Sequence, residues 1–237
     1  MPEVRLLSYN IRSLRDDTEA LARVIRATAP DVVCLQEAPR FVRWRRRTAR
    51  LGREAGLHLV AGGAPACGVT LMSTLRPTVE RSEEIPLPYR PGAHRRALAG
   101  AVLRFGRARL AVVGCHLSLY AEERRRHGAR LLEYLAGLDA PVVLAGDLNE
   151  APGGAAHRLL GRELRDAWPA APRGGDGLTF PAHAPDRRID AVFCGPGVGV
   201  VSCGVPGADE GVDAADLRAA SDHLPVLAVL RLPGEAG

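Results

Sequence analysis

The sequence predicts an α/β (α+β) protein in which two largely antiparallel sheets form a sandwich with helices packed outside. Three observations predict it. Short apolar runs of strand character outnumber segments with helical spacing. The chain opens strand, helix, strand, and its middle holds two long strand patterns joined by a turn short enough for a hairpin.

Residues 4–11 read as a strand, 18–29 as an amphipathic helix behind Asp16 and Asp17, and 31–36 as a short apolar strand after Pro30. The Arg-rich stretch 41–55 continues as a second helix. Strand-like segments 57–60 and 68–72 follow, parted by a turn-forming GGAP segment. A Pro-rich loop, IPLPYRPGAHRR, separates the strand at 79–85 from strands at 97–105 and 109–117, whose link Gly106-Arg107-Ala108 favours antiparallel pairing. Leu131, Leu132 and Leu135 give 122–138 helical spacing, and Pro141 restarts a buried strand, VVLAG, that ends at Asp147. Residues 151–186 read as irregular, apart from a short helix at 155–160. Strands at 189–194, 198–203 and 224–230 complete the chain, with a polar loop between the last two. No repeat or linker interrupts residues 1–237, which are read as one domain.

Apolar residues make up 46% and charged residues 25% of the 237, which excludes a disordered chain. No run approaches the roughly 18 apolar residues of a membrane span. The segment MPEVRLLSYN lacks a basic region followed by an apolar signal core, so a cytoplasmic location is expected. Cys34, Cys67, Cys115, Cys194 and Cys203 are scattered without a CxxC pair, and Cys34, Cys115 and Cys194 read as small buried hydrophobes. The formal charge of +5 suits a polyanionic partner without naming one, and all the basic side chains are Arg. Nothing in the sequence speaks to oligomeric state.

Residues that carry chemistry recur at or just past strand ends: Asn10, Glu37, His116, Asp147, Asn149, Asp190, Asp222 and His223. Each has an ordinary alternative. Asn10 suits a turn and Gln36-Glu37 a strand end, while His116 between Cys115 and Leu117 suits a core histidine. Asp147 and Asn149 are harder to dismiss, because side chains two residues apart on an extended segment share a side. Asp190 enters an apolar strand, where a charge needs a partner. Taken jointly, oxygen ligands, a water-orienting carboxylate and phosphate donors are what phosphoester hydrolysis with a hard divalent ion requires.

The ordered segments SYNIRSL, CLQEA, GCHLSL, AGDLNEAPG, RRIDAVF and ASDHLPV resemble the successive motifs of the endonuclease/exonuclease/phosphatase superfamily. The resemblance spans nearly the whole chain and implies a four-layered α/β sandwich with a metal site at one end of its two central sheets. It implies that Glu37 is the principal Mg²⁺ or Mn²⁺ ligand, with Asn10 as ligand or neighbour and Asp222 as a carboxylate near the metal. Asp147 would orient or deprotonate the attacking water, and Asn149 would position water or a phosphoryl oxygen. His223, oriented by Asp190, would contact the scissile phosphate. His116 resembles the histidine of the deoxyribonuclease, sphingomyelinase and deadenylase branches, where it stabilises phosphate or protonates the leaving oxygen. The abasic-site repair branch has a tyrosine-centred motif in that region, although Tyr120 lies nearby. Cys115 and Ala191 depart from the usual residues at their positions without removing a ligand.

Arg95 and Arg96 fall where many members place an arginine that reaches phosphate, making them candidate substrate-binding residues. Arg43, Arg45, Arg46 and Arg47 around Trp44 suit either a nucleic-acid or anionic-lipid contact or a solvated helix face. Arg187 and Arg188 either serve the site or flank it. The expected activity is metal-dependent phosphodiester hydrolysis by in-line attack of water, with nucleic acid as the first substrate class. Phospholipid head groups and inositol or nucleotide phosphates are the alternatives. The opposed class is a catalytically silent module that binds nucleic acid or membrane through its arginines.

Overall fold

In the computed structural model, which describes residues 1–233, the strands form sheets of seven and six strands with helices outside them. The first sheet contains β1 (Glu3–Asn10), β2 (Val32–Gln36), β3 (His58–Gly62), β4 (Thr70–Ser73), β10 (Pro172–Arg173), β12 (Gly199–Gly204) and β13 (Val226–Arg231), in the order β10-β12-β13-β1-β2-β4-β3. The second contains β5 (Thr78–Pro86), β6 (Ala97–Phe105), β7 (Ala108–His116), β8 (Val142–Asp147), β9 (Arg165–Asp166) and β11 (Asp190–Cys194), in the order β5-β6-β7-β8-β11-β9. Most neighbours are antiparallel. The parallel pairs are β1 with β2, β7 with β8 and the short β10 with β12. The first two are joined through helices, α1 (Thr18–Ala27) and α3 (Ala121–Ala136), because a parallel pair cannot be closed by a hairpin. The predicted hairpin forms between β6 and β7, with Phe105 opposite Ala108 and Gly106 in the left-handed region at φ 62°.

Three apolar clusters build the layers. The inner faces of both sheets meet through Leu6, Cys34, Leu71, Val112, Val143 and Val192. The outer face of the first sheet packs through Leu7, Tyr9 and Leu35 on Leu21 and Ile25 of α1 and Leu217 of α6 (Ala214–Ala220). The outer face of the second packs through Val113, Leu144 and Phe193 on Leu131 and Leu135 of α3 and Leu160 of α4 (Ala155–Leu160). Alternate residues of each central strand therefore serve different layers, as the two-residue period requires. Cys34, Cys115 and Cys194 are buried in these layers.

The sequence reading differs from the structure in three places. The polar loop expected before the last strand contains α6, whose N-cap Asp213 accepts from Ala215 N. With only Leu217 and Ala220 buried, α6 has too sparse an apolar stripe to be read as a helix. Helix α2 (Trp44–Ala55) begins after the expected start at 41, because Arg43 takes φ 57° as its N-cap. That leaves Phe41 and Val42 76% and 84% exposed. The segment expected to be irregular also holds α5 (Ala167–Ala170), capped by Asp166, and the two-residue strands β9 and β10.

Candidate active site

The inner-face periodicity runs out to one rim of the sandwich, where polar side chains replace apolar ones. On β8, Val143 and Ala145 face the inner core, so Asp147 does too; on β11 the series is Cys194, Val192, Asp190. Along β7, Leu110 and Val112 lead out to His116. Register aligns the three ends: His116 lies opposite Asp147, and Asp190 opposite Asp147 from the other side. Gly146 is required beside this row, since at φ 158° a Cβ would lie 2.0 Å from Cys115 O. From the facing sheet, Val4 and Leu6 lead to Asn10 on β1.

Asn10 joins the two sheets. Its Nδ2 donates to Asp147 Oδ2 at 3.0 Å and approaches Glu37 Oε1 at 3.4 Å, while its Oδ1 accepts from Arg12 N. Two carboxylates on one side fix the amide nitrogen there. Ser221 Oγ donates to Asn10 O at 2.6 Å, fastening the Asp222-His223 segment to the end of β1.

His223 Nδ1 donates to Asp190 Oδ2 at 2.9 Å, and its Nε2 lies 3.9 Å from Asp147 Oδ2. Burial works against charge on this ring, but the Asp190 carboxylate, with Asp147 and Asp222, outweighs it and raises the pKa to about 9. His223 is thus an imidazolium at neutral pH. Asp147, 1% exposed, is pushed upward by burial and by the negative charge of Asp190, toward a neutral-pH proton acceptor.

His116 is set differently. Arg96 Nη1 lies 2.9 Å from its Nδ1, and because a guanidinium only donates, Nδ1 must be the bare nitrogen. The ring proton then sits on Nε2, 3.4 Å from Asp147 Oδ2. Burial, and after it the Arg96 charge, hold His116 well below its ordinary pKa, so the ring is neutral. Asn149, in the left-handed region at φ 52°, donates its backbone N–H to Asp147 Oδ1 and its Nδ2 to Leu117 O. Its side-chain oxygen is what remains for the cleft.

Glu37 follows β2 at φ 51°, a backbone conformation that costs energy outside glycine and recurs at functional positions. Among the described residues its carboxylate has only the 3.4 Å approach of Asn10, and it lines a cleft of about 630 Å³ with Arg96, His116, Asp147, Asn149 and His223. A half-buried carboxylate short of hydrogen bonds fits a hard divalent ion. Asp147, Asp190 and His223 also bring ligand atoms within 4.8 Å of one another. Within that trio His223 Nδ1 is committed to Asp190 Oδ2, and Asp147 accepts from Asn10 Nδ2 and Asn149 N, so the Glu37 carboxylate is the less encumbered group. Of the other two metal candidates, Asn10 turns its nitrogen toward the carboxylates, and Asp222 pairs with Arg12 at 3.2 Å.

The two candidate arginines separate. Arg96 lines the cleft, whereas Arg95 donates to Tyr89 OH and stacks over that ring at 4.6 Å. Arg188 is bound in a bidentate pair to Asp166, and Arg187 stacks over Phe180. Of the Arg-rich cluster, Arg47 reaches the cleft lining. Sequence reasoning missed Arg15, Arg40 and His94 on the cleft wall. It also missed Thr179, whose hydroxyl accepts from Asp190 N, and Phe180, whose ring packs 4.7 Å from that of His223. None of these sits at a strand end or within the quoted motifs, the signals by which the other site residues were picked.

A family profile described as "Endonuclease/Exonuclease/phosphatase family" matches residues 7–223. None of the curated proteins compared with the chain matches it. Among solved structures, an endonuclease/exonuclease/phosphatase from Beutenbergia cavernae is 29% identical with a TM-score of 0.75, covering 99% of this chain and 72% of that one. A Bacteroides thetaiotaomicron mannosyl-6-phosphatase is 16% identical, with a TM-score of 0.81 and coverage of 97% and 100%. TDP2 of D. rerio, complexed with single strand DNA product, is 20% identical, with a TM-score of 0.78 and coverage of 98% and 100%. No helix among the described residues is long and apolar enough to cross a membrane.

Proposed function

The chain belongs to the endonuclease/exonuclease/phosphatase family, whose members hydrolyse phosphoesters, and on that premise we propose that it is a divalent-metal-dependent phosphodiesterase or nuclease of the branch carrying the HL motif. The observation that carries this reading is the aligned row His116, Asp147, Asp190, of which His116 and Asp147 line one cleft with Glu37 and His223 while Asp190 holds His223 from behind. Residues 1–237 act as one catalytic domain, in a reducing compartment such as the cytoplasm, which suits five free cysteines.

Glu37 would hold Mg²⁺ or Mn²⁺, with Asn10 orienting the carboxylates and Asp222 near the rim. A bound ion would supply positive charge to a phosphoryl oxygen and to the attacking oxygen. Water held between Asp147 and the Asn149 side-chain oxygen loses its proton to Asp147 as its oxygen bonds to phosphorus, and the bond to the leaving oxygen breaks in line, its electron pair staying on that oxygen, which takes a proton from solvent. His223, protonated and aimed by Asp190, donates from Nε2 to the phosphoryl group. His116 acts here as a neutral donor that stabilises phosphate, because giving up its only ring proton would leave an imidazolate. Arg96 adds charge beside it, and Arg95 a weaker contact from outside the cleft.

Nucleic acid is the first substrate class, supported by Arg15, Arg40, Arg47 and Arg96 on the cleft wall. The second reading, hydrolysis of phospholipid head groups or of inositol or nucleotide phosphates, is favoured by Phe41, Val42 and Leu119, exposed side chains on the same lining. Bis-(p-nitrophenyl) phosphate, its monoester, and single- and double-stranded DNA, each with Mg²⁺, Mn²⁺ or chelator, test the proposal. Metal-dependent turnover lost in both His223→Ala and Asp147→Asn is expected. Turnover that survives chelation, or that neither substitution affects, would overturn it; binding of DNA or vesicles without turnover would favour the silent module.

A further inference from the structure

A second concavity, of about 540 Å³, lies between α3 and α4. Arg125, Arg126, Arg158 and Arg162 line it over small or half-buried apolar side chains such as Ala129 and Leu159, with no carboxylate in the lining. The helices close together at Gly128, where a Cβ would meet Leu159 Cδ2 at 3.3 Å, and the long side chains are left on the two banks. Arg125 and Arg126 share one carboxylate, Glu122. Arg158 spends a donor on Gly153 O, and Arg162 has no ion pair among the described residues. Among the described residues Glu122 is the one carboxylate ion-paired with any of these four arginines, and the lining itself carries four positive charges.

Its position matters as much as its charge. Helix α3 starts at Ala121, just past the cleft residue Leu119, and α4 at Ala155, after a short loop that leaves the cleft at Asn149, so both banks are reached directly from the cleft. Arg125 lies roughly 6 Å along α3 from Ala121, its first residue, at about 1.5 Å per residue. The rim between the two concavities is pinned by Arg124, which pairs with Glu150 at 2.9 Å and donates to Ser118 O and Leu119 O.

We propose that this groove is a backbone track for single-stranded nucleic acid: a strand whose scissile phosphate occupies the cleft crosses the rim and lays its neighbouring phosphates against Arg125, Arg126, Arg158 and Arg162. The track rests on the nucleic-acid reading of the cleft. A membrane is the poorer occupant, because the groove is concave and no large apolar side chain of its lining is exposed to enter a bilayer. A groove between two packed helices with arginines on both banks suits one strand, bound through charge and without sequence preference.

The test replaces the four arginines together with Gln, and in a second variant makes Arg158→Glu with Arg162→Glu. Thermal denaturation verifies that both fold. Binding of a thymidine oligonucleotide long enough to span cleft and groove is measured by fluorescence anisotropy across a salt series. Each lost phosphate contact lowers the log–log salt slope by about 0.7 for a single strand, so the slope is expected to fall by roughly 1.5 to 3 and low-salt affinity by at least about tenfold. Hydrolysis of bis-(p-nitrophenyl) phosphate, too small to reach the groove, should not change. Wild-type binding with an unchanged slope in both variants refutes the track and leaves the cleft's assignment standing. A wild type that neither binds nor cuts oligonucleotides refutes both, and loss of anionic-vesicle binding alone would transfer the groove to a lipid surface.

Discussion

Replacing Arg96 with Met keeps an unbranched side chain of similar reach and removes the donor that meets His116 Nδ1 at 2.9 Å. A hydrogen bond to a charged group contributes about 1.5–3 kcal/mol, and His116 is 3% exposed, so water cannot readily replace the guanidinium. Without Arg96 the ring is free to carry its proton on Nδ1, turning a bare nitrogen toward Asp147 where Nε2–H stood. If that tautomer serves the transition state, kcat/KM falls about 10- to 160-fold, at 1.36 kcal/mol per tenfold. Protonation cannot mimic the effect, because burial, the larger cause of His116's lowered pKa, survives the substitution. The assay is turnover of bis-(p-nitrophenyl) phosphate together with ¹⁵N shifts of the imidazole nitrogens. A wild-type ring protonated at Nδ1, or a variant within about twofold of wild type, would refute the reasoning.

Three further outcomes are expected. Thermal unfolding with Mn²⁺ at about 100 times its Kd should show about 2.7 kcal/mol of stabilisation, and Glu37→Gln should abolish it; a shift retained in the variant would move the metal seat elsewhere. Glu123, buried in α3, accepts from Ser118 Oγ at 2.6 Å and Arg90 N at 2.8 Å, holding the loop that brings His94 and Arg96 to the cleft. Glu123→Ala should speed hydrogen exchange around Arg90 and lower stability by about 1–3 kcal/mol, and unchanged exchange there would count against this anchoring. His127 is held below its ordinary pKa by burial, although its bond to Pro88 O opposes the shift. The unfolded chain therefore binds this proton first, so stability is full above about pH 6.5 and is lost as pH falls below it. His127→Gln should flatten that part of the urea-midpoint profile, and a profile of unchanged slope would exclude His127 as its source.

The candidate residues could be picked out of the sequence because they are marked locally. A carboxylate ending an apolar strand, as at Asp147 or Asp190, conflicts with its neighbours' burial, and such a conflict is visible in any short window. Arg95 and Arg96 carried no such mark. As adjacent residues leading into β6 they point to opposite sides, and only the register of β6 against β7 brings Arg96, not Arg95, to His116. The lip of the cleft was misjudged for a related reason: whether α2 begins at Phe41 or Trp44 depends on a left-handed Arg43, which helix propensity does not foretell.

By itself, the sequence determined the alternation of the strands, the β-α-β opening, the hairpin, and the identity of the groups at the strand ends, because each depends on residues close together in the chain. Tertiary structure alone decided which of those groups meet and in what state. Asn10 reaches Asp147 across 137 positions, Arg12 draws Asp222 to the rim, and Arg96 sets the His116 tautomer. Charge state and tautomer depend on neighbours a few ångströms away, and those neighbours are supplied by the stacking of two sheets, not by proximity along the chain.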